Sequence, residues 1–218
     1  MSAPLAAPLP HRSLRAQAVK CVRGDRIVFS DVDLALPAGG LLQISGPNGS
    51  GKTSLLRIVC GLIPPAGGKI FWDDRDVVSL GDDFHRELAY VGHLNAIKDE
   101  LSVRENLRFN AQLAGLSVAQ KEIELALADF AFGGLEHRPG KYLSQGQKRR
   151  LGLARLKLAG ARPLWVLDEP FAALDAAGIE MVRTMLEAHL ARGGLVLLTT
   201  HQEIAIAAPE FRRIELTQ

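Results

Sequence analysis

The octapeptide Gly46-Pro47-Asn48-Gly49-Ser50-Gly51-Lys52-Thr53 constrains this chain more than any other stretch. Two glycines, a lysine and a hydroxyl residue stand at the spacing of a phosphate-binding loop. The apolar run Leu41–Ser45 before it predicts a buried strand, and the segment Thr53–Cys60 after it predicts a helix. That context is what the chemistry needs. Glycines let the backbone fold tightly enough for successive N–H groups to face phosphate oxygens. The start of a helix adds the positive end of its dipole. Lys52 supplies a point charge for the β- and γ-phosphates of a nucleotide, and Thr53 a hydroxyl for a Mg²⁺ ion.

A second segment completes a nucleotide site. Leu164-Trp165-Val166-Leu167 is an apolar strand that runs into Asp168 and Glu169, with Pro170 closing it. A carboxylate at such a strand end suits a metal-positioning role beside a phosphate loop. Asp168 is therefore expected to position Mg²⁺, directly or through water, and Glu169 to face the water that attacks the γ-phosphate. The next apolar strand, Leu195–Thr199, is followed by Thr200 and His201. If that strand lies beside the Asp168 strand, an imidazole there is expected to reach the γ-phosphate and to help hold the attacking water.

At 218 residues, with 47% hydrophobic and 23% charged side chains, the composition is that of one globular domain with room for an insert. A chain this long buries roughly 70% of its unfolded surface and needs no staple. The formal net charge of +2 gives no reason to expect nucleic-acid binding. Cys21 and Cys60 have no metal-like spacing and fit free, structural thiols in a reducing compartment. No apolar run approaches the ~20 residues that span a bilayer, and the Ala- and Pro-rich start lacks a signal-peptide pattern, so neither an integral membrane protein nor a secreted one is expected. Residues 1–16 read as a flexible lead-in. Ala18 to Leu36 reads as antiparallel strands broken at Gly24-Asp25, and Lys69–Trp72 as another strand. From Val103 to Leu158 the period becomes helical, which predicts a helical insert over about 95–160 within one domain of residues 17–218. Ile179–Arg192 reads as an amphipathic helix. The continuous apolar strands predict a parallel sheet covered on both faces.

Between the two nucleotide segments lies Leu143-Ser144-Gln145-Gly146-Gln147, which resembles the signature motif of ABC ATPases. Ala172-Ala173-Leu174-Asp175 is similar to that family's dimer-contact loop, with Asp175 the contact residue, and His201 to its switch histidine. The resemblance covers nearly the whole chain from about Val19. It implies an α/β phosphate-loop NTPase fold with a mainly parallel sheet, an antiparallel edge subdomain and an α-helical insert. It also implies ATP and Mg²⁺ as ligands. ATP is held by Gly46 through Ser54 and by Arg23, Mg²⁺ by Thr53 and Asp168. Ser144, Gln145, Gly146 and Gln147 of a second copy then face the γ-phosphate, so that two chains sandwich two nucleotides.

Three positions depart from the family pattern. Gln145 replaces a glycine, which is harmless if the local φ permits. Arg23 replaces an aromatic that stacks on adenine, and a guanidinium stacks too. His93 replaces a glutamine that touches Mg²⁺ or water; since Mg²⁺ prefers oxygen, a sensing or water-mediated role is expected. Gly92-His93, Ile97-Lys98-Asp99-Glu100-Leu101, Glu105-Asn106-Leu107, Thr199-Thr200-His201-Gln202 and the terminal Arg212–Gln218 resemble the haem-exporter ATPases of cytochrome c maturation. That resemblance implies membrane subunits of a haem-handling complex as partners, a peripheral place on the cytoplasmic face of a bacterial inner membrane, and no direct haem binding. A drug or lipid exporter and a soluble ABC ATPase acting on ribosomes or DNA stand as alternatives. Lys148, Arg149, Arg150, Arg155 and Lys157 are expected on a solvated helix face, with Leu151, Leu153, Leu156 and Leu158 buried behind them. Trp72, Trp165 and Phe171 read as core. His85, His137 and His189 read as surface or internally satisfied histidines rather than ligands.

Overall fold

The computed structural model of the protein describes residues 7–217. The chain forms two compact units. One comprises the residues up to Tyr90, Ala161–Glu169 and the residues from Leu186 onward; the other comprises Val91–Gly160 and Pro170–Met185.

The first unit holds both sheets. β1 (Leu14–Arg23) and β2 (Arg26–Leu36) form an antiparallel hairpin across Gly24-Asp25, where Gly24 takes φ +58°. With β4 (Gly67–Trp72) and β5 (Arg75–Asp76) they make a four-stranded sheet in the order β2-β1-β4-β5. β1 changes phase along its length. Leu14 and Ala16 are buried at even positions, Val19 and Cys21 at odd ones. The register shift between Ala16 and Val19 is a bulge at which Ala18 adopts φ +46° and donates its N–H to Asp33 Oδ1 at 2.8 Å. A bulge of this kind flips every later side chain to the other face.

The expected lead-in over 1–16 is therefore too long. Leu14 to Ala16 already belong to β1, and Leu9 is buried, its N–H donating to the Arg192 carbonyl at 2.8 Å. Residues 1–6 of that expected segment lie outside the described residues. Alternation read with a single phase hides the strand before its bulge.

The second sheet runs β6-β7-β8-β3-β9, with β3 (Gly40–Ser45), β6 (Leu88–Val91), β7 (Leu164–Asp168), β8 (Leu195–Thr199) and β9 (Glu210–Glu215). β3 pairs parallel with β8 and β9, and β7 parallel with β8. Every residue of β7 and β8 is buried, as a parallel sheet with both faces covered requires. α1 (Lys52–Val59) places Leu55, Leu56, Ile58 and Val59 in a core shared with Ile44, Val166 and Leu197. Two short helices, α2 (Val77–Leu80) and α3 (Asp82–Glu87), lead into β6. Cys60 is buried, which pushes its thiol pKa up, and Cys21 is buried too.

The second unit is helical. α4 (Val103–Leu113) starts at a capping box in which the Ser102 side chain accepts from Glu105 N–H and Glu105 reaches back to Ser102 N–H. The buried Asn106 donates its side-chain amide to the carbonyls of Lys98, Leu101 and Ser102 and accepts from Lys98 N–H, tying the preceding loop to the helix. α5 (Gln120–Asp129) and α6 (Gln145–Leu158) pack with α4 around Val103, Leu107, Ile123, Leu127, Leu153 and Leu156. A 3-10 turn at Gly140–Tyr142 precedes α6. α7 (Ala176–Ala191) begins in this unit and ends in the first.

α6 corrects one expectation. Arg149 is not on a solvated face; it is 3% exposed, while Leu158 is only half-buried. Gly152 and Ala154 are buried together with Leu151 and Leu153, so the middle of the helix is covered on several sides rather than along one stripe.

In the first unit, His189 is buried and stacks on Trp165, with ring centroids 3.8 Å apart and planes 11° from parallel. Its Nε2 lies 3.1 Å from the Pro163 carbonyl, which makes it the protonated nitrogen of a neutral ring. Gly194 leaves room for that ring, since a Cβ there would overlap it. Burial lowers the His189 pKa to about 4. The unfolded chain takes up the proton near pH 6.5 and the folded one not until about pH 4, so stability is complete above pH 6.5 and falls as pH drops toward 4. In urea titrations at pH 7.5 and pH 5, the wild type is expected to lose roughly 2 kcal/mol more than His189→Gln. Equal losses in the two proteins would show that His189 is not the group responsible.

Candidate nucleotide site

The loop after β3 is shaped by what its glycines avoid. Gly46 has φ +138°, and a Cβ there would lie 2.5 Å from the Leu216 carbonyl and 2.8 Å from Ser50 Oγ. Gly51 has φ +98°, and a Cβ there would meet Val28 Cγ1 at 2.6 Å and Phe29 Cδ1 at 2.7 Å. β2 thus passes directly behind the loop. The hairpin it forms with β1 carries Arg23, which is exposed and paired across the strands with Arg26. Gly51 has no side chain to cap α1, so the N–H groups of Lys52, Thr53 and Ser54 meet no N-cap side chain. The Lys52 ammonium folds back over the loop and donates to the carbonyls of Gly46 at 2.8 Å and Pro47 at 3.1 Å. Its charge therefore sits inside the curve of Gly46–Gly51, where an anion held by the backbone would find it.

The end of β7 faces the start of α1. Asp168 is 3% exposed, and both of its carboxylate oxygens are used. Oδ2 accepts from Thr53 Oγ1 and Oδ1 from Thr199 Oγ1, each at 2.8 Å. Thr199 Oγ1 in turn accepts the Glu169 N–H at 2.9 Å. Glu169 takes φ +52°, a left-handed conformation uncommon for a residue with a Cβ and worth about 1–2 kcal/mol of strain. Its Oε1 stands 3.4 Å from Nε2 of His201, whose side chain is half-exposed. At that distance the pair is an ion pair when the imidazole is protonated rather than a firm hydrogen bond.

Thr199 has a role in the site that its place in the sequence does not announce. In the sequence it ends an apolar strand, and in the parallel register it stands opposite Asp168 and holds both acids. A hydroxyl closing an otherwise aliphatic strand was the available signal.

In the helical unit, Ser144 caps α6. Its Oγ accepts from Gln147 N–H at 3.1 Å, and Gln147 Oε1 accepts from Ser144 N–H at 2.9 Å. The serine O–H is still available to donate to an anion at the helix start. Gly146 is required by contact, because a Cβ would lie 2.7 Å from the Ala173 carbonyl. Gln145 is exposed and is not among the residues at positive φ, so this position has no need of a glycine. Asp175 Oδ1 accepts the Gly178 N–H at 2.9 Å in the first turn of α7. His93 is exposed in the loop that follows β6.

The sequence of residues 29–172 matches the ABC transporter family model. The cytochrome c biogenesis ATP-binding export protein CcmA of Nitrosospira multiformis is 49% identical over 197 residues, 90% of this chain and 95% of that protein. The protein of the same name from Dechloromonas aromatica is 47% identical over 203 residues, 93% and 99% of the two chains. Among solved structures, a dimeric ATP-binding cassette in a post-hydrolysis state bound to ADP and Pi superposes with a TM-score of 0.75 at 23% identity, covering 87% of this chain and 88% of that one. The last likeness is one of fold; the family match and the two full-length relatives establish that this chain belongs to the ABC transporter family and carries its ATPase domain.

Proposed function

We propose that this chain is the ATP-hydrolysing subunit of a membrane export complex for cytochrome c biogenesis, and that the complex handles haem. The observation that carries the enzymatic part is the chain of hydrogen bonds from Thr53 through Asp168 and Thr199 to the Glu169 backbone. It joins the phosphate loop to an acid held in a strained conformation beside a histidine. The names of the relatives support the biogenesis part.

The loop N–H groups and Lys52 bind the β- and γ-phosphates, and Arg23 stacks on the base. Thr53 Oγ1 and Asp168 Oδ2, two oxygen donors 2.8 Å apart, fit Mg²⁺, a hard cation that prefers oxygen. When bound, that ion would offset phosphate charge. Glu169 orients a water in line with the γ-phosphorus and takes its proton as the bond to the ADP oxygen breaks. His201 holds a γ-phosphate oxygen. Ser144–Gln147 of a second copy supply the remaining donors to the γ-phosphate, with Asp175 at the contact, so ATP favours a closed pair of chains and hydrolysis releases it. No helix among the described residues is long and apolar enough to cross a membrane, so integral partner subunits supply the path. In this reading the chain lies at the cytoplasmic face of a bacterial inner membrane, takes no part in nucleic-acid binding and does not itself bind haem.

Replacing Glu169 by Gln keeps the shape and removes the charge. This variant is expected to bind ATP, to elute as a dimer with ATP in size-exclusion chromatography, and to lose ~100-fold or more in steady-state phosphate release. Lys52→Ala is expected to weaken nucleotide binding instead. Wild-type turnover in Glu169→Gln would remove Glu169 from its role. His93→Gln is expected to change basal or partner-stimulated ATPase between pH 6 and 8; identical profiles would show that His93 neither senses nor orients. For the wider assignment, a pull-down from native membranes is expected to recover haem-handling membrane subunits. Recovery with a drug- or lipid-exporting permease would overturn it, as would a stoichiometric Soret shift of the purified chain for the absence of haem binding.

A further inference from the structure

Arg149 lies on α6 little more than one turn beyond Ser144 and is almost fully buried. Its Nη1 donates to the Gly92 carbonyl at 3.0 Å and to Asn95 Oδ1 at 3.1 Å, and its Nε is directed at the Pro170 carbonyl at 3.4 Å. Gly92 and Asn95 flank His93 in the chain, and Pro170 directly follows Glu169. A second feature of the same helix serves the same loop. A Cβ on Gly152 would lie 3.2 Å from the Asn95 carbonyl, so α6 is cut away where the His93 loop rests.

A guanidinium is costly to bury unless its N–H groups find acceptors. Here they find acceptors from two segments far apart in sequence. The planar fork of arginine can serve both at once, whereas the compact ammonium of lysine cannot. An aliphatic residue would have filled the space if packing were all that was needed. We propose that Arg149 is a positioning residue for hydrolysis, which fixes the His93 loop and the backbone after Glu169 to the helix that starts at Ser144. The proposal rests on the reading of Glu169 as the hydrolytic acid. Its consequence is mechanical. The His93 loop cannot shift along α6 without breaking bonds to the same guanidinium that holds the Pro170 carbonyl, so a displacement of the loop reaches the residue after the acid through one side chain.

The test compares wild type, Arg149→Gln, Arg149→Lys and Asn95→Ala, with Glu169→Gln as control. Phosphate release is measured against ATP concentration in the complex isolated with its membrane subunits, and amide hydrogen exchange on the purified chain. Both Arg149 variants are expected to lose ~10-fold or more in kcat with KM for ATP within about twofold. Exchange over residues 93–96 is expected to accelerate while α1 is unchanged. Asn95→Ala removes one acceptor without emptying a buried site, and should accelerate exchange over the same residues even if the Arg149 variants fail to fold. Full kcat in Arg149→Lys would overturn the proposal, because charge alone would then suffice. A rise in KM as large as the fall in kcat would overturn it as well, by placing Arg149 in nucleotide binding, and so would unaltered exchange over 93–96 in Asn95→Ala. If wild type releases no phosphate, or Glu169→Gln releases it at the wild-type rate, the functional reading fails while the exchange data still judge the clamp.

Discussion

The Asp168 carboxylate ties the candidate nucleotide site together. It is buried at the end of a strand whose other residues are apolar, a place where an unpartnered charge costs several kcal/mol. Two hydroxyls offset that cost, each such bond to a charged group contributing about 1.5–3 kcal/mol. One comes from the first turn of α1 and the other from the last residue of β8, so a single side chain ties three elements together. Thr199 both donates to Asp168 and accepts from Glu169 N–H, which carries the position of the first acid to the second. The parallel register that sets Asp168 opposite Thr199 is therefore what places both acids, and on the proposed reading it constrains function as well as folding. A slip of one residue would turn both side chains to the wrong faces.

The same strand ends separate charge. In the order β7-β8-β3, the acids leave the end of β7 and the lysine-bearing loop leaves the end of β3, with one strand between them. Ligands of open α/β sheets settle outside the carboxyl ends of the strands. Loop amides, the α1 terminus and Lys52 form the positive wall, while Asp168 and Glu169 form the negative one. Polyphosphate suits the first wall. The second suits a cation or the protons of a water, so on the proposed reading the two walls would serve different parts of one hydrolytic reaction.

Much of this was legible in the sequence, and the reasons differ from residue to residue. The phosphate loop was legible because its glycines answer to contacts no other residue survives: at Gly46 and Gly51 a Cβ would strike the Leu216 carbonyl or the side chains of β2. β7 and β8 were legible because full burial on both faces leaves a continuous apolar run up to the polar residue that ends each strand. The start of β1 was not, since the bulge at Ala18 reverses its alternation. β9 carries Glu210, Arg212, Arg213 and Glu215 on an edge strand and offers no periodicity to read. The place of Arg149 is not legible, because helical spacing assigns a face to a basic residue by its neighbours. Its acceptors come from residues some 20 and 55 positions away, which no local pattern announces.

The departures from the family pattern sort by what each position needs. Where the need is for a missing Cβ, the glycine is kept: Gly146 against the Ala173 carbonyl, Gly51 against Val28 and Phe29. Where the need is for a backbone N–H at a helix start, the side chain is immaterial, and Gln145 serves at the first position of α6 without a positive φ. Position 93 is different, because the side chain itself is exposed and the loop around it is held by others. With Gly92 and Asn95 fixed on α6, the backbone at His93 does not depend on its own side chain. Exchanging an amide for an imidazole there alters the exposed chemistry of the loop, and leaves the scaffold that presents it in place.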